Sequence, residues 1–159
     1  MASRKSVVAI AFGMIAFAFS ANAEQPYDIT TCFAGTVTVL TASDELTVTS
    51  VEMRGITQSH LENKAFDNTS VHCVGVGLRM PDKSIRGGYC KYLDPEGDFL
   101  VGRYEAEGAE GKWEFVHGTG KWNGITGGGT NEAVTRANPI TPGTYQVCAR
   151  ATGTFSLPK

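Results

Sequence analysis

Residues 71–93 read VHCVGVGLRMPDKSIRGGYCKYL. Two extended runs, Val71–Met80 and Ser84–Leu93, flank Pro81-Asp82. Strand-forming residues on either side of a short turn signal predict a β-hairpin. With a two-residue loop, Met80 faces Lys83 and, stepping outward, Cys73 faces Cys90. That position is a non-hydrogen-bonded pair, where Cα atoms approach to about 4.5 Å, a separation a disulfide can span. Pro81-Asp82 suits a type I turn better than the primed turns favoured in hairpins, which leaves the register open to a slip. The chain has four cysteines, Cys32, Cys73, Cys90 and Cys148, and count alone allows three pairings. Pairing Cys73 with Cys90 leaves Cys32 for Cys148, which ties the first strand to the last. A zinc site is the rival reading, against which stand the lack of any Cys-x-x-Cys and of a nearby His pair.

The same signals continue in both directions. Strands are expected over Thr31–Leu40 and Glu45–Arg54 before the hairpin. After it they are expected over Phe99–Glu107, Lys112–Thr119, Asn131–Arg136 and Thr144–Leu157. Pro95-Glu96-Gly97, Gly108–Gly111, Asn123-Gly124 and Pro139–Gly143 supply the turns. Phe33, Val37 and Val39 share one face of the first strand. In the second, the apolar phase moves from Leu46 and Val48 to Val51 and Met53, which reads as a bulge. Val74, Val76, Leu78 and Met80 read as a core face, and Tyr145, Val147, Ala149 and Ala151 as another. All four cysteines then fall on the more polar faces and are expected outside. Twelve of the nineteen glycines lie between Gly87 and Gly129, a density that excludes a helical bundle, because each interior glycine costs a helix about 1 kcal/mol. The fold class that follows is all-β, a small antiparallel closed barrel of about eight strands. A lipocalin-like barrel and a β-sandwich are the alternatives. A first-to-last disulfide favours closure, and glycines at 75, 77, 87, 88 and 102 suit tight bends. Gly55–Ser70, a polar stretch around His60, reads as a short helix or a lid over one barrel mouth.

The N-terminus has its own pattern. Arg4 and Lys5 precede an uncharged apolar run over Val7–Phe19, and Ala21-Asn22-Ala23 places small residues where cleavage would fall. This predicts a signal peptide over residues 1–23, ahead of one β-barrel domain over residues 24–159. No cysteine stands at the cleavage point to carry a lipid, and no twin-arginine pair is present, so general export to the periplasm or the medium is expected. An even cysteine count agrees with an oxidising compartment. Cleavage removes Arg4 and Lys5 but no acid. Fourteen basic residues become twelve against sixteen acidic ones, and the formal charge moves from −2 to −4. Mild acidity without a basic run argues against nucleic-acid partners. No further stretch is long and apolar enough to span a membrane as a helix.

Residues 118–129, Gly-Thr-Gly-Lys-Trp-Asn-Gly-Ile-Thr-Gly-Gly-Gly, follow a strand carrying Trp113 and Phe115. This segment resembles the glycine- and aromatic-rich hairpin of the allene oxide cyclase-like and dirigent-like barrel superfamily, which small exported bacterial proteins also resemble. The resemblance is specific over about Gly97–Thr130. It implies an antiparallel eight-stranded barrel, often a homo-oligomer, with an apolar cavity open at one end. On its own terms, Asn123-Gly124 supplies the positive-φ residues of a hairpin turn. A nucleotide loop is excluded by the glycine spacing and by the lack of a following helix. No cofactor is implied.

The chemistry-bearing residues are few. Trp113, Phe115, His117 and Thr119 alternate onto one face. If that face is internal, His117 sits among aromatics as a base or a polar ligand contact; otherwise it is a core or rim histidine. Arg103 and Glu105 share one face of their strand and Tyr104 takes the other, and an internal Arg103–Glu105 pair would line the cavity. The outer-face reading of that pair is the commoner one. No nucleophile–base arrangement, metal motif or paired-carboxylate motif marks a catalytic site. The tentative ligand-binding set is therefore Trp113, Phe115, His117, Arg103, Tyr104 and Glu105. The function expected is binding of a small apolar or amphipathic molecule in the barrel. The alternatives are a cyclase- or dirigent-like barrel enzyme that imposes a shape on a reactive substrate, and a structural protein with a filled barrel.

Overall fold

The computed structural model describes residues 23–159. The expected signal peptide lies outside the described residues, Ala23 apart. Eight strands follow one another around a closed antiparallel barrel. They are β1 (Gln25–Ala42), β2 (Thr47–Ser59), β3 (Ser70–Arg79), β4 (Ser84–Leu93), β5 (Phe99–Glu107), β6 (Glu110–Gly118), β7 (Thr126–Ala137) and β8 (Thr144–Ser156). A single 3-10 turn, Gly120–Trp122, interrupts the path from β6 to β7.

β4 and β5 have the expected bounds. β1 starts six residues earlier than expected, at Gln25, and β7 starts at Thr126, because Gly127–Gly129 pair within the sheet. The β3–β4 hairpin keeps the two-residue loop. Met80 and Lys83 exchange backbone hydrogen bonds, and the register pairs Cys73 with Cys90. Both expected disulfides are present, Cys73–Cys90 and Cys32–Cys148, which removes the zinc reading.

Closure is made by β1 against β8. Their ladder runs from Gln25–Phe155 to Thr36–Thr144, with Cys32 opposite Cys148. On the outer wall Arg150 adds a bidentate contact to Asp28, Nε to Oδ1 at 2.8 Å and Nη2 to Oδ2 at 2.5 Å. An exposed pair of this kind is worth at most about 1 kcal/mol. The disulfide restrains the unfolded chain over 116 residues and is the stronger tie.

The Cys73–Cys90 bridge faces the opposite way from the sequence expectation. Cys73 and Cys90 are buried inside the barrel, whereas Val74, Val76 and Tyr89 are each about half exposed on the outer wall. Only Cys32 and Cys148 lie on the outside. The cause is steric. The inward positions of β3 and β4 include Gly75 and Gly88, and a Cβ at either would collide with the Tyr104 hydroxyl. Glycine stands there because a neighbour's ring fills the space, so the apolar alternation marks the wrong face. Bulges also differ from expectation. Thr47, Thr49, Val51 and Met53 of β2 all line the interior, and the extra residue is Leu40 of β1. A second bulge falls at Val134, and a third lies at Val116 between the Val101–His117 and Gly102–Phe115 pairs.

One end of the barrel is plugged. The β2–β3 connection forms no helix; it is a loop that covers this end of the barrel, as the lid expectation has it, and inserts Phe66. Its ring meets Tyr27, Phe115, Trp122 and Phe155 with centroids 4.8–5.5 Å apart. Phe66 sits at φ 60°, flanked by Lys64 and Asn68 in the same region, a conformation that costs a bulky residue about 1–3 kcal/mol. The Thr57 hydroxyl, donating to the Phe66 carbonyl and accepting from the Thr69 amide, and Asp67, accepting from the Ser59 amide, hold it there.

The two disulfides are expected to differ in weight. Loop-closure entropy assigns about 4–5 kcal/mol to the 116-residue link and about 3 kcal/mol to the 17-residue link. Urea unfolding of the Cys32→Ala/Cys148→Ala and Cys73→Ala/Cys90→Ala double variants checks this. The first pair should show the lower midpoint.

Candidate functional site

The barrel is closed at the end where Phe66 and Trp122 sit and open at the other. Between them lies a cavity of about 650 Å³. Inward residues alternate along every strand, as a barrel requires. The floor is aromatic: Tyr27, Phe66, Tyr92, Trp113 and Phe115, with Leu100 and the Cys73–Cys90 bridge beside them. Higher up, Thr31, Phe33, Val51, Met53, Ala133 and Ala149 form the walls. Arg79, Arg86, Arg136 and Tyr145 line the mouth.

The position of the Trp113 ring depends on β5. A Cβ at Gly102 would fall inside the indole, so glycine there lets the ring lie flat across the neighbouring strand. Trp113 packs edge-on to Tyr92 and Phe115, at 5.2 and 5.8 Å between centroids. Tyr27 is 2% exposed, and its hydroxyl has no hydrogen-bond partner among the described residues. An unpaired buried hydroxyl costs about 1–3 kcal/mol.

The sequence-derived candidates divide. Trp113, Phe115 and Tyr104 line the cavity. His117 does not. It pairs with outward-facing Val101, and its ring lies 6.3 Å from exposed-side Phe99. The extra residue Val116 inverts the alternation after Phe115, so His117 points outward and Gly118 inward. Arg103 and Glu105 are also outside, where the Arg103 guanidinium meets Glu105 at 3.4 Å and Glu114 at 2.8 Å. Among the described residues no buried ion pair lines the cavity. Tyr27, Tyr145 and the mouth arginines were not among the candidates. Their signal was parity: Arg79 shares the face of Cys73, and Arg86 that of Cys90. Phe66 had a fainter signal, an apolar Ala65-Phe66 pair within a polar stretch.

The closed end explains the motif around Trp122. The chain makes a 3-10 turn and then a type II turn, closed by the Ile125 amide on the Trp122 carbonyl at 3.0 Å. Asn123 has φ −59° and ψ 127°, and only Gly124 has positive φ, 72°. The expectation that both residues have positive φ is corrected, since a type II turn needs it only at its second central residue. The two turns deliver the Trp122 indole N–H to buried Asp94 Oδ2 at 2.9 Å. Asp94 also accepts from the Glu96 and Asp98 amides and faces Lys121 at 3.0 Å. Burial pushes this carboxyl up, but the hydrogen bonds from Lys121, Trp122 and the two amides outweigh it and hold it below the usual range.

The barrel has solved counterparts. It is similar to two pterocarpan synthase dirigent proteins. One is 15% identical with a TM-score of 0.49, over 93% of this chain and 100% of that one. The other is 11% identical with a TM-score of 0.47, over 88% and 97%. No family model and no curated protein matches the sequence.

Four tyrosines face the interior. Burial pushes Tyr27, Tyr92 and Tyr104 up, and Tyr145 up to about 12. All four are therefore neutral hydroxyls at physiological pH. The hydrogen bond from Arg150 lowers Asp28, as Asp94 is lowered. Lowered carboxylates stabilise the fold above the unfolded value of about 4, and that contribution is lost as pH falls through their folded values. Raised tyrosines contribute below about pH 10, and that contribution is lost as pH rises through their folded values. Thermal unfolding against pH should show a plateau between about pH 5 and about 10, falling on both sides. Asp94→Ala should flatten the acid limb and cost about 1–3 kcal/mol for each donor left unpaired.

Proposed function

We propose that this chain is an exported barrel that holds a small apolar or amphipathic molecule in its open cavity. One observation carries the reading. Eight-stranded barrels are narrow enough for side chains to fill, yet this one keeps about 650 Å³ open above an aromatic floor. That volume lies in the range of small-molecule sites. Glycines at inward positions such as Gly75, Gly88 and Gly102 let the rings lie against the wall and so keep the centre clear. Trp113, Phe115 and Tyr104 provide ring faces and edges for the ligand body.

Export is supported by the two disulfides and by the small residues at Ala21-Asn22-Ala23. Among the described residues no helix is long and apolar enough to cross a membrane.

The test is a titration with phenylnaphthylamine, a neutral apolar fluorophore. Saturable binding at one site per barrel is expected, with quenching of Trp113 emission. Ala149→Trp, which places a ring in the middle of the cavity, should weaken binding by roughly tenfold or more, the loss of about 1.4 kcal/mol of contact. Val116→Trp on the outer wall should leave it unchanged. Binding that tolerates Ala149→Trp would move the site off the cavity.

A further inference from the structure

The arginines of the described chain fall into two sets. Arg54, Arg103 and Arg150 stand on the outer wall, and each is paired with a carboxylate: Glu52 at 2.6 Å, Glu114 at 2.8 Å and Asp28 at 2.5 Å. Arg79, Arg86 and Arg136 line the cavity mouth, and among the described residues none of them forms an ion pair. Among the described residues, no aspartate or glutamate lines the cavity. Of the acids at this end, Glu107 and Glu110 face each other across β5 and β6 on the outer wall, with Glu107 against Lys83 at 2.9 Å, and Asp44, Glu45 and Asp82 stand exposed in the β1–β2 and β3–β4 turns. Three unpaired cations around an opening are unusual in a chain whose acids outnumber its bases.

Their placement follows from register. Arg86 pairs with Gly77 across the β3–β4 ladder, so Arg79 and Arg86 are diagonal neighbours on one inward face. Arg136 pairs with Val147 on β8, on the far side of the ring. It faces inward because the bulge at Val134 inverts the alternation of β7. Arg86 is anchored by a hydrogen bond from its Nη2 to the Gly108 carbonyl at 3.0 Å. It lies close enough to the Tyr104 and Tyr145 hydroxyls to oppose the upward push of burial on both. The mouth thus offers guanidinium forks from two sides and two neutral hydroxyl donors, while the floor offers only rings and aliphatic surface.

We propose that the cavity takes an anionic amphiphile, with its carboxylate, sulfonate or phosphate head held at the mouth by Arg79, Arg86 and Arg136 and its apolar body on the aromatic floor. Guanidinium groups bind planar and tetrahedral oxyanions in bidentate fashion. The reverse orientation would bury the charge against Tyr92, Leu100 and Phe115 and leave the arginines unsatisfied. This inference rests on the reading of the cavity as a ligand site.

The experiment compares anilinonaphthalene sulfonate with phenylnaphthylamine, which share a ring body and differ by the anionic head. At low salt the sulfonate is expected to bind the full mature chain roughly tenfold or more tightly than the neutral probe, the worth of one charge-assisted hydrogen bond. Raising the ionic strength should erode that advantage, since the head sits at the solvent-facing end. Arg79→Gln, Arg86→Gln and Arg136→Gln together should abolish it while leaving affinity for the neutral probe unchanged. Because Arg86 also braces the β5–β6 turn, the Arg79→Gln/Arg136→Gln pair serves as a second variant, and it should lose most of the preference with an unchanged melting temperature. Arg54→Gln on the outer wall is the control and should lose none. Equal affinity for the two probes, or a preference that survives in both variants, overturns the inference and leaves the cavity reading standing. Binding of neither probe overturns both.

Discussion

The seam between β1 and β8 decides what is inside this molecule. Without it the eight strands form an open sheet with two faces and two exposed edges, and no residue is internal. The β1–β8 ladder removes both edges, and the Cys32–Cys148 bridge holds the chain's first and last strands together even when the ladder opens. By contrast, the β6–β7 ladder is short, from Gly111–Asn131 to Glu114–Gly128. The turn that carries Trp122 inward leaves the rest of β6 unpaired on that side. The covalent tie therefore lies on a long ladder.

Once the ring is closed, strand parity distributes chemistry. Along β5 the sequence Leu100, Gly102, Tyr104, Ala106 faces inward, and Phe99, Val101, Arg103, Glu105 faces outward. A single inserted residue changes the outcome for everything beyond it. Val116 sends His117 outside and Val134 turns Arg136 inside. Two bulges on adjacent strands thus take a titratable imidazole out of the cavity and put a permanent cation into its mouth. The resulting gradient, rings at the plugged end and guanidinium groups at the open one, is a property of register as much as of composition.

Much of this architecture was legible in the residues. The Pro81-Asp82 turn fixed the hairpin register, the register paired Cys73 with Cys90, and elimination paired the rest. Strand number and closure followed. What was hidden had two physical causes. Glycine has no side chain to signal its direction, so Gly75, Gly88 and Gly102 do not announce that they make room for Tyr104 and Trp113, and Val74 and Val76 mark the wrong face of β3. Bulges leave no mark in composition either, which is why His117 was grouped with Trp113 and Phe115. Phe66 is obscured by its polar neighbours, because its entry into the barrel depends on contacts with Thr57, Tyr27, Phe115 and Phe155 that come from elsewhere in the chain.

The central claim is that the interior above the aromatic floor is where this protein meets a small molecule. Methyl-resolved NMR during titration with anilinonaphthalene sulfonate addresses it most directly, because methyl groups report the side of the wall on which they stand. The account predicts shifts confined to inward methyls, those of Val51, Met53, Ala133 and Ala149, with Val74, Val116 and Val134 of the outer wall unmoved. Shifts centred on the outer valines would contradict it and place the interaction on the barrel's exterior.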